Sequence, residues 1–214
     1  MKNLFAIGDV HGCFTSTGNE ESYSSLTKRL EGNTIQVGDF GIFNGSDTEK
    51  LRRKVKPRDG YTDVFFRGNH DNPRMCEAHP NNLGDFGEVP DYPNMFFIAG
   101  AESCDRSRRT EGKDWWPDEQ LSYRQMEECQ SIYEKIRPEI VLTHDCPTLG
   151  YFYIHPHSLK NHQNPTASFL QKLFEIHPPR LWIHGHHHES KTYFHNETKF
   201  RSLGELEPYL VRID

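Results

Sequence analysis

Short apolar runs that end at glycine or at a polar side chain recur along the chain. Each has four or five residues and is rich in isoleucine, valine and phenylalanine, as buried β-strands are. The runs cover residues 3–7, 34–37, 63–66, 95–99, 139–142 and 180–183. We therefore predict six buried strands.

The segments between these runs have helical spacing of apolar positions. We predict helices over residues 22–30, 47–55, 118–136 and 165–176, the last with Asn164 as N-cap and Pro165 at its first position. Residues 191–195, 199–203 and 208–213 are predicted as a short antiparallel meander. Alternating strands and helices followed by terminal strands predict an α/β fold with one mixed sheet or two sheets. Functional side chains are then expected at the carboxyl ends of the strands.

Composition and charge narrow the function. The 214 residues are 34% hydrophobic, which fits a single domain over 1–214, and the net charge of -6 argues against a general nucleic-acid binder. No apolar run approaches the ~18–20 residues of a membrane span, and no signal-peptide core precedes Asp9. We therefore expect a cytoplasmic protein.

The cysteine and histidine counts bear on the chemistry. Five scattered cysteines argue against a disulfide framework, whereas thirteen histidines are unusually many.

Seven side chains at the predicted strand ends have the chemistry of metal ligands. They are Asp9, His11, Asp39, Asn69, His144, His186 and His188. The pairs Asp9/His11 and His186/His188 are two residues apart, so each pair is expected to face one direction. One ion rarely takes seven nitrogen and oxygen ligands, whereas two ions that share a carboxylate would use them all. This donor set suits manganese, iron, zinc or cobalt better than magnesium or calcium alone.

Five ordered motifs resemble those of the calcineurin-like metallophosphoesterases, in particular small bacterial and phage members. They are GDVHG (8–12), GD (38–39), GNHD (68–71), THDCP (143–147) and GHHH (185–188). The resemblance implies two packed mixed β-sheets flanked by helices and two divalent-ion sites that share Asp39. The first site would use Asp9, His11, Asp39 and His188. The second would use Asp39, Asn69, His144 and His186.

The resemblance also implies a reaction. Two divalent ions, manganese first, with iron, zinc, cobalt or magnesium as alternatives, would lower the pKa of a shared water for in-line attack on a phosphate ester. His70 resembles the family's general acid, and Asp71 is expected to orient its imidazole and raise its pKa.

The substrate class is less defined. Residues 40–43 lack the arginine that Ser/Thr protein phosphatases of this family carry after GD, although Arg67 is retained, and Arg106 and Arg109 are alternative phosphate-binding residues. No dedicated nucleic-acid-binding domain is expected. We predict a small phosphorylated substrate, such as a nucleotide or a nucleic-acid end, cleaved as a phosphodiester or a phosphomonoester. A protein phosphatase and a non-catalytic interaction module are the alternatives, the latter disfavoured because His70 and all seven ligands are present.

Two segments allow two interpretations each. Residues 103–121 contain several arginines together with Trp115 and Trp116, which either face the substrate or cover the core. Residues 151–162 carry His155, His157 and His162, which either line the substrate pocket or lie in solvent. The cysteines are predicted to be small buried side chains without chemistry, and His184 and His187 are expected to lie outside the ligand set.

Overall fold

Two β-sheets pack face to face in the computed structural model, which describes residues 2–15, 21–44, 49, 51, 55–158 and 164–213. The first sheet contains, in spatial order, β10 (Pro208–Val211), β1 (Leu4–Ile7), β2 (Asn33–Val37) and β3 (Asp63–Phe66). The second contains β4 (Phe86–Glu88), β5 (Met95–Ile98), β6 (Ile140–Thr143), β7 (Leu181–His184), β9 (Thr198–Ser202) and β8 (Lys191–His195). Strands β1, β2 and β3 run parallel, as do β5, β6, β7 and β9. Both sheets are mixed, since each also contains antiparallel pairs.

Helices cover the outer faces of both sheets. Their bounds are Tyr23–Arg29, Pro73–Glu77, Tyr123–Ile136, Thr148–Ile154 and Pro165–Ile176, and a 3-10 helix spans Arg106–Arg108. The inner sheet faces share one apolar cluster, in which the Phe66 and Phe97 rings stack at 5.6 Å. The second sheet and its helices enclose another cluster, and helix Tyr23–Arg29 covers a third beside the first sheet. The predicted two-sheet α/β fold is thus confirmed.

Local capping explains where two predicted helices begin. Asn164 accepts a hydrogen bond from the Ala167 amide at 2.7 Å, as expected of the predicted N-cap. The helix predicted over 118–136 begins only at Tyr123, because Ser122 and Gln125 form a capping box. The predicted helix 47–55 falls largely outside the described residues.

The terminal strands differ from the predicted meander. Only β8 and β9 form an antiparallel hairpin, and β9 then pairs in parallel with β7. The last strand, β10, crosses to the other sheet and pairs with β1, where Leu4 lies opposite Val211 and both are buried. The two short helices Pro73–Glu77 and Thr148–Ile154 and strand β4 were not predicted. Nowhere in the described ranges is there a helix with the length and apolar character needed to span a bilayer.

Candidate metal and phosphoester site

The loops after five strands converge at one edge of the sandwich. Asp9 and His11 follow β1, Asp39 follows β2, and Asn69 follows β3. From the second sheet, His144 follows β6, and His186 and His188 follow β7. The structure therefore brings together all seven side chains that the sequence singled out as candidate ligands.

One group of these side chains consists of Asp9, His11, Asp39 and His188, whose potential ligand atoms lie within 4.8 Å of one another. His188 Nε2 is 3.1 Å from Asp9 Oδ2 and 2.9 Å from His11 Nε2. Two imidazole nitrogens at this separation cannot both carry a proton. Their arrangement is that of two metal ligands directed at the same ion.

The second group contains Asp39, His144 and His186 and shares Asp39 with the first. His144 Nε2 is 3.3 Å from Asp39 Oδ1 and 3.1 Å from Asn69 Oδ1. The His144 Nδ1 atom contacts the Val37 carbonyl at 2.9 Å, which directs Nε2 towards Asp39. Asp39, Asn69 and His144 are almost completely buried.

Four of these residues have left-handed backbone conformations, which is unusual for side chains other than glycine. The φ angles are 48° for His11, 55° for Asp39, 66° for His186 and 55° for His188. Asp9 and His11 do belong to one group, as expected, but strand alternation is not what directs them there. Strand β1 ends at Ile7, and the turn beyond it aims both side chains.

The electrostatics of the site favour a bound cation. Burial alone would raise the pKa of Asp39, but the surrounding imidazoles, above all His144, lower it well below its usual range. The contact with Asp9 raises the pKa of His188. Asp9 Oδ2 is completely buried and has no hydrogen bond of acceptable geometry within the described residues, although His188 Nε2 lies 3.1 Å away. A divalent ion would satisfy this oxygen, so the donor set fits a metal.

His70 lies beside this site, in contact with an arginine. Its Nε2 is 2.7 Å from the Arg109 guanidinium, and its Nδ1 is 3.1 Å from the same group. Burial is the largest cause that lowers the pKa of His70; Arg109 also lowers it, against the opposing effect of Asp39. The amide of His70 donates to Asp39 Oδ1 at 2.8 Å.

Asp71 does not act on His70 as expected. Its buried carboxylate accepts hydrogen bonds from the backbone amides of Phe40, Gly41, Ile42 and Gly68 at 2.7–3.0 Å. The prediction that Asp71 orients the imidazole and raises its pKa is wrong, because its oxygens are used to fix the loops after β2 and β3.

Only one of the three predicted substrate arginines reaches the cavity over the site. This cavity, of about 580 Å³, is lined by Asp39, Asn69, His70 and Arg109 among others. Arg67 is buried, bonded to Asp85 and to the Glu119 carbonyl, and lines a separate cavity. Arg106 instead stacks on Trp115, with its guanidinium carbon 4.1 Å from the ring centroid.

The two ambiguous segments contribute selectively to the cavity. Trp115 and Trp116 are buried, so the core-covering interpretation of these side chains holds. Of the histidine-rich segment, Tyr151 and His155 line the cavity, whereas His157 is exposed. His162 lies outside the described residues.

The expectation that all five cysteines are buried is wrong for two of them, since Cys104 is exposed and Cys13 is partly exposed.

Sequence reasoning missed a buried hydrogen-bond chain that ends at Asn69. Glu119 accepts from the Ser103 amide at 2.9 Å and from its hydroxyl at 2.5 Å. Ser103 Oγ in turn accepts from Asn69 Nδ2 at 3.0 Å, which leaves Asn69 Oδ1 facing His144. The only sign of it in the sequence was that Ser103 and Glu119 lie at either end of the part of segment 103–121 that contains the arginines and tryptophans.

The comparisons with known proteins agree with this fold and identify the family. The model of the calcineurin-like phosphoesterase family matches residues 2–190 of the 214. The chain therefore belongs to the calcineurin-like phosphoesterase family, and the resemblance seen in its motifs is confirmed. The family is metal-dependent, and the clustered candidate ligands are consistent with that. No curated protein matched the chain.

Solved structures share the fold at low sequence identity. A phosphopantetheinyl hydrolase from Mycobacterium tuberculosis has a TM-score of 0.52 and 15% identity, with 99% of this chain and 96% of that chain covered. A putative 5'-nucleotidase from Staphylococcus aureus has a TM-score of 0.51 and 15% identity, with 95% and 48% covered. The anchor in the inner membrane complex of Plasmodium has a TM-score of 0.54 and 12% identity, with 95% and 72% covered.

Proposed function

We propose that the chain is a metal-dependent phosphoesterase that hydrolyses a small phosphate ester. The observation that carries this proposal is the pair of ligand groups that share Asp39 in a cavity also lined by His70 and Arg109. A fold of this kind also occurs in an anchor protein, so the proposal rests on these side chains rather than on the fold.

The residues of each group would hold one divalent ion. Asp9, His11, Asp39 and His188 would hold the first. Asp39, Asn69, His144 and His186 would hold the second. Manganese is our first candidate, with iron, zinc, cobalt and magnesium as alternatives, since this set mixes imidazole nitrogens with oxygen donors. Two such ions would supply a nucleophilic oxygen and neutralise the charge of the phosphate. The Ser103–Glu119 chain would position Asn69 by holding its amide nitrogen away from the ion.

His70 and Arg109 are suited to bind the phosphoryl group and to assist departure of the alcohol. Arg109 is anchored to Asp105 at 2.6 Å, so its guanidinium stays over the cavity. A phosphate oxygen beside it would accept a hydrogen bond from Arg109, which frees the imidazole. His70, when protonated, would then donate its proton to the leaving oxygen.

The cavity favours a substrate of nucleotide size. A volume of about 580 Å³ lies within the range of pockets for small molecules. The structural relatives named for phosphopantetheinyl and 5'-nucleotide hydrolysis are consistent with a nucleotide-like phosphomonoester or phosphodiester. Residues 40–43, after the GD motif, contain no arginine, and Phe40 and Ile42 of this segment are buried in the core. This supports a small-molecule substrate over a phosphoprotein.

The first experiment measures hydrolysis of p-nitrophenyl phosphate and of bis-p-nitrophenyl phosphate. We expect turnover of at least one of them with added Mn²⁺ and its loss on chelation. Absence of metal-dependent turnover of both would overturn the proposal. A panel of nucleotides, 2',3'-cyclic nucleotides and phosphopeptides would then define the substrate class.

The second experiment tests His70 as the acid. His70→Ala should reduce kcat for phenyl phosphate, whose leaving group is poor, far more than for p-nitrophenyl phosphate. The metal content should stay unchanged. His177→Ala, at the C-cap of helix Pro165–Ile176, serves as the control and should affect neither substrate. An equal loss with both substrates, or loss of metal, would contradict this assignment.

A further inference from the structure

A third group of ligand-type side chains lies beside the two groups and belongs to neither. Asp145 and Cys146 follow β6, and His187 lies between His186 and His188 after β7. Cys146 Sγ is 3.2 Å from His187 Nε2, and Asp145 Oδ1 is 3.4 Å from the same nitrogen. All three potential ligand atoms lie within 4.8 Å of one another.

One of these separations equals the value expected around a tetrahedral metal ion, and the other is close to it. With usual zinc bond lengths, ligand sulfur and nitrogen lie about 3.6 Å apart, and ligand nitrogen and oxygen lie about 3.4 Å apart. The Asp145–His187 separation already has this value, and the Cys146–His187 separation is shorter by about 0.4 Å. Small side-chain shifts would therefore admit an ion.

Burial and access also fit a metal site. Asp145 and Cys146 are completely buried, which would protect a thiolate ligand from solvent. The His187 side chain is 7% exposed and lines the 580 Å³ cavity. An ion could enter from this cavity, and its fourth coordination position would face it, as in zinc sites with three protein ligands.

We propose that Asp145, Cys146 and His187 form a third metal site, of zinc type, at the edge of the cavity. The thiolate distinguishes this site from the two neighbouring groups, whose donors are all nitrogen and oxygen. Soft sulfur donors favour zinc over manganese or magnesium. The ion would connect the loop after β6 to the loop after β7, which carries His186 and His188.

Cobalt binding tests the proposal directly. Titration of the metal-free protein with Co²⁺ should produce a thiolate-to-cobalt charge-transfer band in the near ultraviolet. Since the other candidate ligands contain no sulfur, this band reports the third site whether or not the protein hydrolyses phosphate esters. Cys146→Ala should abolish the band and lower the bound cobalt, measured after dialysis, by about one ion per chain.

Two other cysteines provide matched controls. Cys129→Ala removes a thiol of similar burial that packs among apolar side chains. Cys104→Ala removes the exposed thiol that lines the same cavity. Both variants should keep the band and the third ion.

A second variant covers the case in which Cys146→Ala does not fold. His187→Asn, at a side chain that is not completely buried, should weaken cobalt binding at this site by about tenfold or more while the other ions stay bound. No band in the wild-type protein, a band that survives in Cys146→Ala, or full affinity in His187→Asn would each overturn the proposal. So would a band that is lost only in Cys104→Ala.

Discussion

His11, Asp39, His186 and His188 keep a left-handed backbone that costs about 1–2 kcal/mol per residue in an L-amino acid. Such conformations persist only where the surrounding structure imposes them, and they concentrate at functional sites. At His11 and Asp39 the backbone is held by the amides of Val10 and His11, which donate to the Asp39 carbonyl at 3.0 and 2.9 Å. The His186 amide donates to Asp9 Oδ1 at 3.1 Å. The backbone of these loops therefore sets the direction in which the candidate ligands point.

Removal of the Arg109 side chain should weaken substrate binding without destabilising the fold. Arg109→Ala removes a guanidinium that faces the cavity, so we expect KM for a phosphate ester to rise by about tenfold or more, the effect of a lost hydrogen bond to a charged group. Steady-state kinetics on p-nitrophenyl phosphate would measure this. The metal content should not change, since Arg109 contacts none of the candidate ligands in the described structure except through His70.

The neighbouring Arg106 provides the control for this variant. Its guanidinium stacks on buried Trp115, so Arg106→Ala should lower the melting temperature slightly and leave KM unchanged. A larger rise in KM for Arg106→Ala than for Arg109→Ala would reverse the assignment of the two arginines.

The residue types of the site could be predicted from the sequence, whereas several of their roles could not. The seven candidate ligands follow from histidine, aspartate and asparagine at strand ends. The role of Asp71 does not, because adjacency to His70 says nothing about where its side chain points. The Asp71 carboxylate accepts hydrogen bonds from four backbone amides of two loops, and these amides come together only in the folded chain.

At the scale of the loops, glycines provide the space into which the ligands fit. A Cβ on Gly68 would overlap Asp39 Oδ1 and approach His144 Nε2 to 2.6 Å. A Cβ on Gly185 would overlap Asp9 Oδ1. The glycines of the GNHD and GHHH motifs therefore belong to the site as much as the ligands that follow them.

Gly68→Ala should impair metal binding more than folding. The added methyl would also overlap the Asp39 backbone nitrogen, so it must displace the loop that carries Asp39 as well as the His144 side chain. Overpacking of this kind costs about 1–3 kcal/mol. We expect metal affinity to fall by about tenfold or more, because both displaced side chains are candidate ligands. Calorimetric titration with Mn²⁺ would measure the affinity, and thermal unfolding would measure the stability.

Gly204→Ala is the matched control in a neighbouring loop. The nearest atom to its Cβ, Glu207 Oε2 at 3.5 Å, is the end of a side chain that can move. This variant should bind Mn²⁺ as the wild type does. Unchanged affinity in Gly68→Ala would show that the loop after β3 can shift without disturbing Asp39 and His144.

The sequence predicted the position of a strand best where the strand is a short, buried apolar run. Strands β2, β3, β6 and β7 are apolar runs buried towards their carboxyl ends, and their positions agree with the predictions to within one residue at each end. Strand β4 and helix Pro73–Glu77 have three and five residues, which is too short for a periodic pattern. Their positions depend on contacts distant in sequence, such as β4 pairing with β5.

At the scale of the whole molecule, the site lies where the two sheets meet. Asp39 comes from the first sheet and His144 from the second, and their side chains are 3.3 Å apart. Strand β10 forms one edge of the first sheet by pairing with β1, and β9 joins the second sheet by pairing with β7. Neither pairing could be predicted, because the apolar pattern of a strand does not identify its partner. What the motifs did indicate is that both sets of strand ends converge.

Metal binding at this junction should stabilise the whole fold. At a Mn²⁺ concentration one hundred times Kd, one bound ion would add about 2.7 kcal/mol to the free energy of unfolding. For a chain of this length that corresponds to a rise in Tm of about 5–11 °C, measurable by calorimetry with and without chelator.

Asp39→Asn should remove most of this rise in Tm. The variant keeps the shape of the side chain and the oxygen that accepts from the His70 amide, but it removes the charge shared by both ligand groups. Asp118→Asn, at an exposed position outside the site, should show the full rise. If Asp39→Asn were stabilised by Mn²⁺ as much as the wild type, the ions would bind elsewhere, and the two sheets would not be joined through this carboxylate.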